Sequence, residues 1–212
     1  MENTIKLEEV ARITALVTND LTEYVKAGRS GMSTKEKFLK YLEDEDYRST
    51  FENIKVTNSV KNMLNSVVYV YSYPRSDFES TVHDALFFTN GNLKNYIDTK
   101  VLGIVIYAFV GAHRYLVQKE EERKIAENSK SEFFGNVGDK IDLELIYDKT
   151  VWFDNGGAIH LFHDSNENVF KWSTEKSIDC KVGDKVNISG RIKAHQEYKG
   201  IKQTSITRCK IA

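Results

Sequence analysis

The chain has 212 residues, 41% of them hydrophobic, with one proline, two cysteines and a formal net charge of −1. That is a soluble globular composition, large enough for one large or two small domains, and two are expected. No basic n-region followed by an apolar run opens the chain and no CxxC occurs, so no secretory signal is expected, the cytoplasm is the expected compartment, and Cys180 and Cys209 read as reduced, buried small hydrophobes.

The first half reads as helical. Ile5, Leu7, Val10, Ile13, Leu16, Val17 and Leu21 recur at three- and four-residue spacing, which predicts an amphipathic helix over residues 5–26 ending near Gly28. Ser33 or Thr34 can cap a second helix through Phe38, Leu39 and Leu42, and a short third follows around residues 47–54. Residues 56–73 are ambiguous: Val60, Met63, Leu64 and Val67 have helical spacing, whereas Val67 to Tyr71 has strand-like composition; helix is the expectation. A break is expected at Tyr73-Pro74, another short helix over 77–88, and a turn at Asn90-Gly91-Asn92.

The strongest helical signal comes last. Asp98 or Thr99 can cap a helix that begins apolar (Val101, Leu102, Ile104, Val105, Ile106, Tyr107, Phe109, Val110), carries Gly103 and Gly111 as close-packing positions, and finishes charged in residues 118–124. His113 and Arg114 interrupt the apolar run, so a bundle-core helix is expected rather than a membrane span. Its tail, residues 120–130, reads as a helical spacer to the second domain.

From residue 131 the periodicity changes to two. Ile141, Leu143, Leu145 and Tyr147 alternate with polar neighbours, Val151-Trp152-Phe153 extends that strand after a kink, and 158–163 and 168–172 are two further short strands set off by turns at 154–157 and 164–167. Residues 181–211 then form a hairpin. Val186, Ile188, Ile192 and Ala194 share one face, Gly190 marks a bulge or bend, Gly200 supplies the turn, and Ile201, Ile206 and Ile211 fall in register on the return strand only with one extra bulged residue. The fold expected is therefore α+β: a helical bundle over residues 1–130 and a five-stranded barrel of the oligonucleotide/oligosaccharide-binding (OB) type over 131–212, with a small SH3-like barrel as the alternative because little room remains for a helix between the third and fourth strands.

Charge singles out the hairpin. It holds eight cations (Lys181, Lys185, Arg191, Lys193, Lys199, Lys202, Arg208, Lys210) against Asp184 and Glu197, whereas residues 131–180 hold ten acids against four bases. Such segregation suits a surface that tracks a phosphate backbone, and it also suits an edge hairpin armed against aggregation. Single-stranded nucleic acid needs cations for phosphates and aromatic faces for bases, so the candidate contacts are Arg191, Lys193, Lys199, Lys202 and Arg208 with Trp152 and Tyr198 as stacking platforms. Phe170 and Trp172 share the parity opposite Lys171 and are expected in the core. His160, His163 and Asp164 form HxxHD, but a three-residue offset on a strand sends the imidazoles to opposite faces, so no metal site is expected. No nucleophile-elbow, phosphate-loop, dinucleotide-binding or zinc-protease pattern occurs, and neither an enzyme nor a cofactor is expected.

The segments Phe134-Gly135-Asn136-Val137-Gly138, Asn168-Val169-Phe170-Lys171-Trp172, Val182-Gly183-Asp184-Lys185-Val186 and the run from His195 to Thr204 with Thr207-Arg208-Cys209 resemble a C-terminal OB-like domain of bacteriophage and mobile-element proteins; Asp164 to Asn168 departs from its Asp-Gly-Asn turn. The resemblance implies a mobile-element accessory protein. The leading expectation is binding of single-stranded DNA or RNA with little sequence preference, the helical domain supplying partner or homodimer contacts. The alternative is an anti-CRISPR-like inhibitor that blocks a host defence nuclease or its guide complex.

Overall fold

The computed structural model describes residues 4–211, and the chain divides into two compact units that meet between Lys119 and Glu120. This division falls inside the last helix, earlier than the expected boundary after residue 130.

The first unit is helical. A short strand β1 (Thr4–Lys6) pairs antiparallel with β2 (Tyr96–Asp98) and leads into α1 (Leu7–Val17). α2 (Thr34–Glu43), α3 (Glu45–Ser49), α4 (Val60–Tyr71) and α5 (Asp77–Leu86) follow. Ser33 caps α2 in a full capping box with Glu36, while Asp44, Ser59 and Ser76 cap the next three helices through their side-chain oxygens. α1 stops well short of the expected residue 26. Thr18 Oγ1 donates back to the Thr14 carbonyl at 2.5 Å and accepts from Leu21 N at 3.1 Å, and Asn19, Asp20 and Leu21 take φ of 48°, 54° and 70°. The Thr18 hydroxyl here competes with the helix for backbone groups, while the Asp20 carboxylate accepts from Thr57 N at 3.0 Å and Asn58 N at 3.2 Å. Leu21 is nevertheless 1% exposed, so its helical spacing marked burial correctly and helix wrongly. The ambiguous segment is the helix α4, because only Met63, Val67 and Tyr71 are buried, a stripe of period four.

A 3₁₀ turn (Thr99–Val101) capped by Asp98 starts α6 (Leu102–Asn128). Leu102, Val105, Ile106, Ala108, Phe109, Val110 and Ala112 are buried in the helical core. By length and composition α6 is the one helix among the described residues able to cross a membrane, yet these apolar side chains already have a protein environment. Gly111 is a close-packing position as expected, since a Cβ there would lie 2.9 Å from the Tyr71 hydroxyl.

The second unit is a closed five-stranded barrel: β3 (Lys140–Trp152), β4 (Ala158–His163), β5 (Val169–Thr174), β6 (Lys185–Tyr198) and β7 (Ile201–Ile211). The order around it is β3-β4-β5-β7-β6, with β6 returning to β3; every pairing is antiparallel except the parallel β5–β7. Leu145, Phe162, Phe170, Trp172, Ile188, Ile192 and Ile206 fill the interior, so Phe170 and Trp172 face inward as their parity predicts. The kink expected in β3 is a register shift at Asp148, between Tyr147 and Lys149. Residues 175–184 between β5 and β6 contain no helix.

Candidate nucleic-acid interface

The β6–β7 hairpin turns through two residues, Lys199 (φ 52°) and Gly200 (φ 79°), both left-handed, the arrangement whose twist matches that of paired strands. Two register shifts reconcile its strands. Arg208, at φ 54°, is the extra residue on β7 between the Ser189–Lys210 and Arg191–Thr207 pairs, and Lys193 is the extra residue on β6 between the Ile192–Ile206 and Ala194–Ser205 pairs. Gly190 stands opposite the first bulge, where a Cβ would lie 2.9 Å from the Thr207 carbonyl oxygen and 3.2 Å from Cys209 Sγ. Burial pushes that thiol up to about 12, so Cys209 is the inert, packed cysteine its composition suggested.

These bulges turn the cations of the hairpin base outward. Arg191, Lys193, Arg208 and Lys210 are all exposed. Lys140, at the start of β3, lies directly opposite Arg191 and joins them. Arg191 donates to the Gly138 carbonyl at 3.3 Å; among the described residues no carboxylate pairs with Lys140, Lys193, Arg208 or Lys210. Asp139 is the nearest acid along the chain, its carbonyl accepting from Ile192 N between Arg191 and Lys193, but its carboxylate is taken by Asn136 N at 2.8 Å; Asp142, opposite Ser189, is the next.

The hairpin tip is a different environment. Lys199 is ion-paired with Glu122 in the last turns of α6, and that hydrogen bond holds its ammonium pKa above the ordinary range. A Cβ on Gly200 would come 2.6 Å from the Ala126 methyl, so the tail of α6, helical to Asn128 as the expected spacer is, packs against the tip.

Lys202 is equally committed. It pairs with Glu132 at 2.5 Å and lies 5.7 Å over the Phe133 ring. Phe133 in turn stacks on His195 at 4.7 Å, and His195 Nε2 donates to the Phe134 carbonyl at 3.1 Å. Behind them Ser131 Oγ donates to the Lys202 carbonyl at 2.6 Å and accepts from Val169 N at 2.8 Å, while Phe134 N donates to Thr204 Oγ1 at 2.9 Å. Residues 131–134 thus lash β5 to β7 across their parallel joint, with the buried Thr204 and the Lys202 carbonyl as their acceptors on β7. Lys199 and Lys202, expected as phosphate contacts, are therefore tied into the barrel's own structure.

The two aromatic candidates separate as well. Tyr198, 58% exposed, sits at the tip beneath Lys199. Trp152, 56% exposed beside Phe153, ends β3 on the other side of the sheet. Register sets Trp152 opposite Ala158, whose other partner is Thr174, and the Trp152 ring meets the buried His160 edge-on at 6.3 Å. Trp152 thus lies on the His160 side of the β3–β4 ladder, and among the described residues no strand pairing joins it to either end of the hairpin.

No known protein family, curated protein or solved structure matches this chain. The interface must be read from its own geometry, and that geometry adds residues the sequence reading passed over. Lys149, Leu161 and Lys171 form one cross-strand row on the outside of β3, β4 and β5, with Val151, Ile159 and Ser173 as the next. This is a small apolar strip, Leu161, Val151 and Ile159, with Lys149 and Lys171 flanking Leu161. The signal was in the alternation of β4, but only the strand pairing shows which lysines flank it.

The HxxHD histidines part as expected. His160 is fully buried; its Nε2 donates to the Lys176 carbonyl at 2.9 Å and its Nδ1 accepts from Thr150 at 2.5 Å, whose oxygen accepts in turn from the Tyr147 hydroxyl at 2.7 Å. His163 faces the other way and bonds Asp148 at 2.7 Å. Among the described residues no group of three or more histidine, cysteine or acidic side chains is placed to hold a metal.

Proposed function

We propose that the barrel is an OB-class module that binds single-stranded nucleic acid with little sequence preference, in an accessory protein of a phage or other mobile element. The strand order, numbered within the barrel as 1-2-3-5-4 with strands 3 and 5 parallel, supports the OB assignment over an SH3-like one, and the resemblance of residues 131–211 supports the origin. The observation that carries the reading is the outward cluster Lys140, Arg191, Lys193, Arg208 and Lys210, exposed and without carboxylate partners among the described residues.

Chemically, such a surface holds phosphates by charge and bases by stacking. A base on an exposed aromatic ring is worth roughly 1–3 kcal/mol and tolerates any sequence. Five phosphate contacts give a log–log dependence of affinity on salt with a slope of about −3.5 for single strands. The test is fluorescence-polarisation titration of the full chain with labelled single-stranded DNA, single-stranded RNA and duplex DNA at two salt concentrations. Salt-sensitive binding that favours single strands is the expected result. Absence of binding at low salt contradicts the reading and transfers the surface to a protein partner such as a defence nuclease.

A further inference from the structure

Four cavities open on the helical unit, and one differs from the rest in chemistry. The largest, about 830 Å³, includes Glu8 and Glu9; a second includes Glu8, and a third Asp84 and Asp98. The fourth, about 470 Å³, is lined by Tyr24, Phe78 and Tyr107 together with Lys26, Lys35 and Lys100, and by no carboxylate. Its size falls within the ordinary range for small-molecule sites.

The rings are organised around Tyr107, which meets Tyr24 at 5.3 Å and 82° and Phe78 at 5.3 Å and 88°. Edge-to-face packing on both sides fixes Tyr107, while Phe78 and Tyr107 remain 49% and 37% exposed at the mouth, an aromatic surface with no protein cover. The three lysines come from three places: Lys26 from the loop after α1, Lys35 from the first turn of α2, and Lys100 from the 3₁₀ turn that opens α6. None is ion-paired among the described residues, in contrast to Arg12 in the largest cavity, which is paired with Glu9. The starts of α2 and of the 3₁₀ turn are capped by carboxylates outside the cavity lining, Glu36 accepting from Ser33 N and Asp98 from Lys100 N. Gly103, in the first turn of α6, also lines the cavity, where a Cβ would meet the Lys35 side chain at 3.5 Å.

Three lysines without ion-pair partners among the described residues, beside edge-to-face rings of which two are partly exposed, are complementary to a ligand that is both anionic and aromatic. We propose that this cavity binds a nucleotide, the rings taking the base and Lys26, Lys35 and Lys100 the phosphate. The site lies wholly within the helical unit and does not depend on the barrel's reading. The same chemistry is offered by a free nucleotide and by the phosphorylated 5′ end of a strand.

Isothermal titration of the full chain with AMP, adenosine, inorganic phosphate and a 5′-phosphorylated dinucleotide tests it. AMP is expected to bind at least about tenfold more tightly than adenosine, as charge-assisted contacts to phosphate require. The triple variant Lys26→Gln, Lys35→Gln, Lys100→Gln is expected to lose that advantage, and Phe78→Ala, at an exposed ring, to weaken AMP and adenosine alike with helicity unchanged. AMP tighter than the dinucleotide assigns a free nucleotide, and the reverse assigns a strand end. Equal affinity for AMP and adenosine overturns the proposal. So does unchanged AMP binding in the triple variant, or loss of AMP binding in a barrel variant carrying Arg191→Glu, Lys193→Glu and Arg208→Glu.

Discussion

The two ends of the β6–β7 hairpin carry the same kind of charge and use it differently. At the tip Lys199 and Lys202 meet Glu122 and Glu132, residues far away in sequence that the fold returns to them. At the base Arg191, Lys193, Arg208 and Lys210 are turned outward by two bulges and meet no carboxylate among the described residues. A lysine's presence in a basic segment therefore says little about its availability. What decides is whether the chain brings an acid back to it.

The largest effect expected from this contrast is on binding. Reversing Arg191, Lys193 and Arg208 to Glu should weaken single-stranded DNA binding by at least about a hundredfold at low salt, because each reversal replaces attraction to phosphate with repulsion. Lys199→Ala with Lys202→Ala should change affinity by less than about threefold, since exposed ion pairs that serve the structure are worth only about 0.2–1 kcal/mol each. A larger loss at the tip than at the base breaks the comparison.

The glycines of the two ends sharpen it through stability. Trp152 and Trp172, the only tryptophans, both lie in the barrel, so denaturation followed by tryptophan fluorescence reports that unit within the full chain. Gly190→Ala forces a methyl against the Thr207 carbonyl and Cys209 and should cost about 1–3 kcal/mol. Gly200→Ala places a residue at φ 79° and against Ala126; a cost of about 1–2 kcal/mol is expected, with faster amide exchange in residues 120–128 as the helix turns lose their seat.

A smaller effect concerns the buried relay. Thr150→Val leaves the inward Nδ1 of His160 without its donor and should cost about 1–3 kcal/mol while leaving nucleic-acid affinity unchanged. The smallest is the pH response of Cys209. Its folded pKa lies above the unfolded value, so the stabilising preference for the neutral thiol is complete below the unfolded pKa and is lost as pH rises toward about 12. Stability should fall above pH of about 9 in the native chain and less so in Cys209→Ala, read by the same fluorescence titration.

Much of the barrel was legible because period-two alternation and turn glycines are local signals. The bulges at Asp148 and Arg208 follow the same logic, since a kink or a break in parity announces an extra residue, whereas the bulge at Lys193 interrupts an unbroken parity from Val186 to Ala194 and had no such signal. The strap of residues 131–134 was not legible: it has no periodicity, and its partners Val169, Lys202 and Thr204 are distant in sequence. For the same reason nothing in the sequence marks Thr204 as the buried acceptor of Phe134 N. In the helical unit the caps at Ser33 and Asp98 were local and found, whereas α1 ends early where the Thr18 hydroxyl bonds the backbone on both sides and Asn19, Asp20 and Leu21 turn left-handed despite an intact apolar spacing.

The central claim is that the hairpin base, and not its tip, meets phosphate, and the salt dependence of affinity counts those contacts directly. The wild-type chain titrated with a single-stranded oligonucleotide should give a log–log slope of about −3.5, unchanged by Lys199→Ala with Lys202→Ala and reduced by about 2 in magnitude by Arg191→Ala, Lys193→Ala and Arg208→Ala together. A slope that flattens with the tip variant and stays steep with the base variant would contradict it.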